Sequence, residues 1–223
     1  MKRREFLNTS LQGSLAASIS MLMPAGLLAS ELPADITELT ASKLSAAIRD
    51  RQVSCLEVMQ AYLQRIERYN PVYNAIVNLA DQDGLLGQAR RADAALDKGE
   101  YWGWMHGMPH AVKDLANVEG MITTSGSRLY ANRVATADSS LVASVRAQGA
   151  IFIGKTNTPE FGLGSQTYNA VFGATGSACN PALTAGGSSG GAACGLGTHM
   201  LPVADGSDMM GSLRNPGAFN NVI

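Results

Sequence analysis

Apolar positions change their rhythm along this chain. From Ser54 to Asn70, the residues Leu56, Met59, Leu63 and Ile66 recur at intervals of three and four, which places them on one face of a helix. Ser54 and Glu57 form a capping-box pattern at its start, and Asn70 and Pro71 are predicted to stop it. The stretch 40–51, TASKLSAAIRDR, predicts a shorter amphipathic helix before it, and 84–99, GLLGQARRADAALDKG, a third helix after it. Three short apolar runs read instead as strands: 74–79 (NAIVNL), 110–114 (HAVKD) and 150–155 (AIFIGK). A helix is predicted over 138–149, ending at Gly149 directly before the last strand. Helices come first, then strands and helices alternate. That order argues for an α/β domain whose sheet is covered by helices.

The first thirty residues do not belong to this rhythm. A basic start, MKRREFLNTS, runs into LQGSLAASISMLMPAGLLAS, a mildly apolar stretch ending in small residues. This describes an export signal, and Arg3-Arg4 followed by Phe6 and Leu7 resembles a twin-arginine leader. Cleavage near Ala29 or Ser30 and a periplasmic or secreted protein are the expectations, with no stable membrane insertion after cleavage. The alternative is a short amphipathic helix in a cytosolic protein. A transmembrane helix fits less well, because Gln12, Ser14, Ser18 and Ser20 interrupt a run that is already short. Residues 31–223 would then form the domain. At its end, Phe219, Val222 and Ile223 look like the start of an apolar element, so the expectation is a domain incomplete at the C-terminus. Such a chain, taken alone, would be poorly soluble and weakly active.

Composition narrows the class. Of 223 residues 46% are hydrophobic and 16% charged, which fits a globular chain, and a net charge of −1 gives no basic face for nucleic acid. The three cysteines, Cys55, Cys179 and Cys194, cannot all pair with one another, and no CxxC spacing suggests zinc; buried thiols are expected.

Several patterns compete as candidate chemistry. Gly149 to Thr156 formally matches a phosphate-binding loop, but its interior, AIFI, is itself the predicted strand, and Pro159 disfavours a helix starting at Lys155. His106, His110 and His199 lack a G-x-S-x-G elbow to set a serine beside them, so structural or exposed roles are expected for them. Lys113 lies in or at the end of a buried strand. An apolar setting disfavours its charged form and would free the amine to accept a proton. The competing reading pairs Lys113 with Asp114 or sends it to solvent.

The glycine-flanked run AGGSSGGAAC (185–194), followed by VADGSDMMGSLRNP, decides between these readings. Together with GMPHAVKD and ATADSSLVASVRAQGAIFIGKTNTPEFG, it resembles the amidase signature family of serine hydrolases over most of the chain after about residue 35. The resemblance implies that family's mixed sheet with helices on both faces. It implies a catalytic set of Lys113 as base, Ser188 as proton relay after a cis Gly187–Ser188 bond, and Ser212 as nucleophile. Ser189 would support the relay. The backbone N–H groups of Met209, Met210, Gly211 and Ser212 would form the oxyanion hole, and Asp208 with Arg214 an ion pair holding the loop. Met210 stands where many members carry glycine, and a positive φ there would strain it. The implied reaction is hydrolysis of a small-molecule carboxamide through an acyl-serine, with no metal or cofactor and no nucleic acid, and a homodimer is compatible. The amidase component of a tRNA-dependent amidotransferase and an inactive, truncated remnant are the alternatives.

Overall fold

The computed structural model describes residues 32–223, so the proposed export leader lies outside the described residues. Helix α1 (Ala41–Arg49) is followed by α2 (Cys55–Tyr73), which opens on the predicted capping box. Ser54 Oγ accepts from the Glu57 N–H at 3.1 Å, and Glu57 Oε2 accepts from the Ser54 N–H at 2.8 Å. Val58, Met59, Tyr62, Leu63 and Ile66 form its buried face. Each fully buried side chain of this size contributes about 1.5–3 kcal/mol relative to exposure. The predicted stop at Asn70-Pro71 is corrected: α2 runs through Pro71 to Tyr73 and turns left-handed at Asn74 (φ 50°). Asn70 still shapes the exit. Its Oδ1 accepts from the N–H groups of Ala75 and Ile76, and its Nδ2 donates to Ile76 O, so a side chain takes over the bonds that a further turn would have made.

The central sheet has three strands, in the order β1 (Ile76–Val77), β3 (Ile151–Thr156), β2 (Pro109–Lys113). β2 runs parallel to β3 and β1 antiparallel to it, which makes the sheet mixed. Every residue of β2 and β3 is buried, as expected for strands covered on both faces. Between β1 and β2 comes α3 (Gln82–Asp97), capped by Asp81; between β2 and β3 comes α4 (Ser140–Ala147). Val112, Val118, Val142 and Phe152 pack together on the α4 side. The predicted strand 74–79 contracts to two paired residues, because Asn78 turns to positive φ (47°).

Two small hairpins follow, β4 (Tyr168–Asn169) with β5 (Gly173–Ala174) and β6 (Gly176–Ser177) with β7 (Asn180–Thr184). Such short, largely exposed strands carry no apolar alternation for a sequence reading to detect. Helix α5 (Gly190–Gly197) then presses against the sheet. Its glycines are needed for contact: a Cβ on Gly191 would lie 2.3 Å from the Asn157 amide nitrogen and 2.6 Å from Ala75 O. The last helix, α6 (Arg214–Asn220), holds Phe219 half-exposed, and Ile223 beyond it is fully exposed. All three cysteines are free. Cys55 and Cys194 are buried as expected, but Cys179 is exposed in the β6–β7 turn, which corrects the expectation for that thiol. No helix among the described residues is long and apolar enough to cross a membrane.

Candidate active site

The end of β2, the start of α5 and the loop 203–212 converge on one amine. Lys113 is 2% exposed, and its Nζ donates to Ser188 Oγ (2.8 Å), Ser189 Oγ (2.8 Å) and Ser207 Oγ (3.0 Å). Neither part of the competing reading holds, since Asp114 turns away: its carboxylate accepts from the Thr124 N–H and hydroxyl and from the Gly126 N–H. Burial dominates the chemistry of Lys113. It pushes the amine down from 10.5 to about 8, while the carboxylates of Asp205 and Asp208 pull the other way. A lysine in that range carries a usable fraction of neutral amine near pH 7.

The peptide bond Gly187–Ser188 is cis, as the family resemblance implies. Ser188 is fixed on two sides: its Oγ meets Lys113, and its carbonyl accepts from Thr158 Oγ1 at 3.0 Å. Gly187, Ser188, Ser207, Asp208, Met209, Met210 and Ser212 line one open cleft of about 540 Å³, together with the apolar side chains of Leu115, Phe161 and Leu163. Ser212 is tied to the relay segment through its backbone, its carbonyl accepting from the Ser189 N–H at 3.1 Å. Among the described residues no hydrogen bond joins the Ser188 and Ser212 hydroxyls. The structure therefore brings Lys113, Ser188 and Ser189 into direct contact and sets Ser212 in the same cleft without closing the last link.

The loop before Ser212 is organised by Asp208. Its carboxylate accepts from the N–H groups of Gly211 (2.5 Å), Leu213 (3.2 Å) and Arg214 (3.4 Å) and pairs with the Arg214 guanidinium at 2.9 and 3.1 Å. The guanidinium and these N–H groups hold Asp208 well below the usual carboxylate range. The ion pair thus has the geometry of a scaffold. This arrangement occupies the Gly211 N–H, one of the four expected oxyanion donors. Those of Met209, Met210 and Ser212 have no protein acceptor among the described residues. Positive φ falls on Gly211 (104°) and not on Met210, so methionine sits at its position without backbone strain.

Three contributors lie outside the residues expected from the sequence. Ser207 bonds the lysine directly, and Asp205 accepts the Lys113 backbone N–H with both oxygens (3.1 and 3.2 Å). His110 meets Asp205 at 3.2 Å. The one hint in the sequence is the polar run DGSD shortly before Ser212; nothing in it points to His110, 95 positions away. The formal phosphate-loop match lies in β3, with Lys155 fully buried and donating to Ala116 O and Thr123 Oγ1. Among the described residues no group of three His, Cys, Asp or Glu is placed to hold a metal ion.

A mixed α/β sheet that presents a buried lysine to paired serines, one after a cis bond, defines the amidase signature class of hydrolase. The Amidase family model matches residues 57–223, and the chain belongs to that family. Among curated relatives, it is 39% identical over 189 residues to a glutamyl-tRNA(Gln) amidotransferase subunit from Acidothermus cellulolyticus, covering 85% of this chain and 37% of the relative. It is 39% identical over 181 residues to the corresponding protein from Aromatoleum aromaticum, covering 81% and 36%. Among solved structures, a bacterial aryl acylamidase of the amidase signature family superposes with a TM-score of 0.77 at 33% identity, over 82% of this chain and 38% of that one. The peptide amidase of Stenotrophomonas maltophilia superposes with 0.75 at 30%, over 82% and 39%. The chain therefore spans less than two-fifths of the length of the curated relatives it matches.

Proposed function

We propose that the complete protein cleaves an amide C–N bond through an acyl-serine intermediate on Ser212. The observation that carries this reading is the buried Lys113 amine, 2.8 Å from Ser188 Oγ in a cleft that Ser212 also lines. In the proposed sequence the neutral amine takes the Ser188 proton, and Ser188 takes the proton of Ser212 as its oxygen attacks the substrate carbonyl. The N–H groups of Met209, Met210 and Ser212 receive the developing oxyanion. Collapse expels the amine, which leaves with the proton returned through Ser188, and water releases the acid from Ser212 by the same relay in reverse. Ser189 and Ser207 hold the lysine between cycles.

Two settings share this chemistry. The curated relatives at 39% identity favour the first, an amidotransferase component that takes nitrogen from an amide donor and works beside partner chains. The aryl acylamidase and peptide amidase support the second, a free amidase, to which export through the Arg3-Arg4 leader and a periplasmic or secreted location would belong. A fluorophosphonate probe on the full-length protein tests the shared chemistry: labelling at Ser212 and its loss in Ser212→Ala are expected. Absence of labelling in the unaltered protein would favour the inactive remnant. Glutamine against an aryl-amide panel, together with N-terminal sequencing for leader cleavage, separates the two settings.

A further inference from the structure

The proposed mechanism leaves one buried pair unused. His110 and Asp205 expose 3% and 8% of their side chains, and the His110 Nε2–H donates to Asp205 Oδ1 at 3.2 Å. A carboxylate offers no hydrogen, so Nε2 carries it; His110 Nδ1 has no partner among the described residues. Both carboxylate oxygens face the Lys113 backbone N–H. We propose that the His110–Asp205 pair is a positioning device for the base: it ties the end of β2 to the loop that carries Ser207 and Ser212, and holds a carboxylate against the Lys113 main chain. This rests on the reading of Lys113 as the base.

The surroundings single out Asp205 for that work. From the segment entering α5 the lysine meets the hydroxyls of Ser188 and Ser189, and from the loop the hydroxyl of Ser207. Asp114, next in sequence, is turned to Thr124 and Gly126. Asp208 also favours the ammonium, but it is engaged by Arg214. On β3, Lys155 is a second buried amine; burial lowers it, and the charge of Asp114, then more weakly that of Asp205, opposes this. Asp205 thus lies buried between His110 and the Lys113 main chain, and His110 fixes where it sits. In each catalytic cycle the base gains and loses a proton. A carboxylate anchored on its main chain favours the protonated stage without taking the proton itself.

The test is a titration of Lys113 by NMR in protein labelled at lysine Cε, with Lys113→Met for assignment, beside the pH dependence of Ser212 phosphonylation. Asp205→Asn retains an acceptor for the Lys113 N–H and removes the charge. Its Lys113 midpoint is expected to fall by about one pH unit, with the labelling profile moving by the same amount. His110→Gln, which keeps a donor, should hold the unaltered midpoint, and His110→Leu should not. An unchanged midpoint in Asp205→Asn overturns the proposal. If Asp205→Asn does not fold, identical midpoints in His110→Gln and His110→Leu overturn it instead. The NMR midpoint reports on Lys113 whether or not Ser212 reacts. A shift without any labelling would therefore overturn the catalytic reading and leave the electrostatic one, and labelling without a shift the reverse.

Discussion

At the residue scale the protein turns on one lysine taken out of water. Lys113 would be fully charged at neutral pH if exposed; burial brings it to about 8 and three serine hydroxyls occupy its hydrogen bonds. Only the neutral amine accepts a proton, so phosphonylation of Ser212 should be slow at low pH, rise through about pH 8 and level off above it. A rate independent of pH across that range, or a Lys113→Ala variant with the same profile, would remove Lys113 from the base role. Lys113 is legible in the sequence not from the strand pattern, which alone leaves its role open, but through the resemblance that GMPHAVKD and the run AGGSSGGAAC carry together. Asp205 and His110 are not, since their meaning arises from a contact 95 positions apart in the chain.

At the scale of elements, close backbone approach does the positioning. The serine pair stands just ahead of α5, and α5 comes near enough to the backbone flanking β1 and β3 only because it opens on two glycines. Gly191→Ala should destabilise the fold by about 1–3 kcal/mol in a urea melt, because the added methyl meets two backbone groups that cannot rotate away. A loss of only a few tenths would mean that α5 can shift outward without cost. Long amphipathic helices and unbroken apolar strands are readable from the sequence, with ends correct to a few residues. The exit of α2 shows the limit. Proline at 71 forbids one helical bond, yet the helix carries on to Tyr73, and Asn70 accepts from the N–H groups of Ala75 and Ile76 just beyond its end.

At the scale of the whole molecule the cleft and its neighbourhood stand open. Met209 and Met210 are more than four-fifths exposed, and an apolar groove beside α5 and α6 is lined by Leu196, Leu213, Pro216 and Val222. The 223-residue chain by itself should bind the dye ANS there, with a fluorescence rise that Leu213→Asp reduces. No rise would mean that this face is covered in solution. The chain matches less than two-fifths of the length of its curated relatives.

The sequence by itself determined the candidates Lys113, Ser188 and Ser212 and the order of the elements as far as β3. Periodicity reports burial, and the motifs around Lys113, Ser188 and Ser212 carry the family resemblance. Only the tertiary structure decided how those residues meet. It put Ser189 and Ser207 on the lysine beside Ser188, gave the Gly211 N–H to Asp208, and placed His110 against Asp205 on the Lys113 main chain. A hydrogen bond depends on distances of about 3 Å between groups whose separation along the chain carries no information about their separation in space.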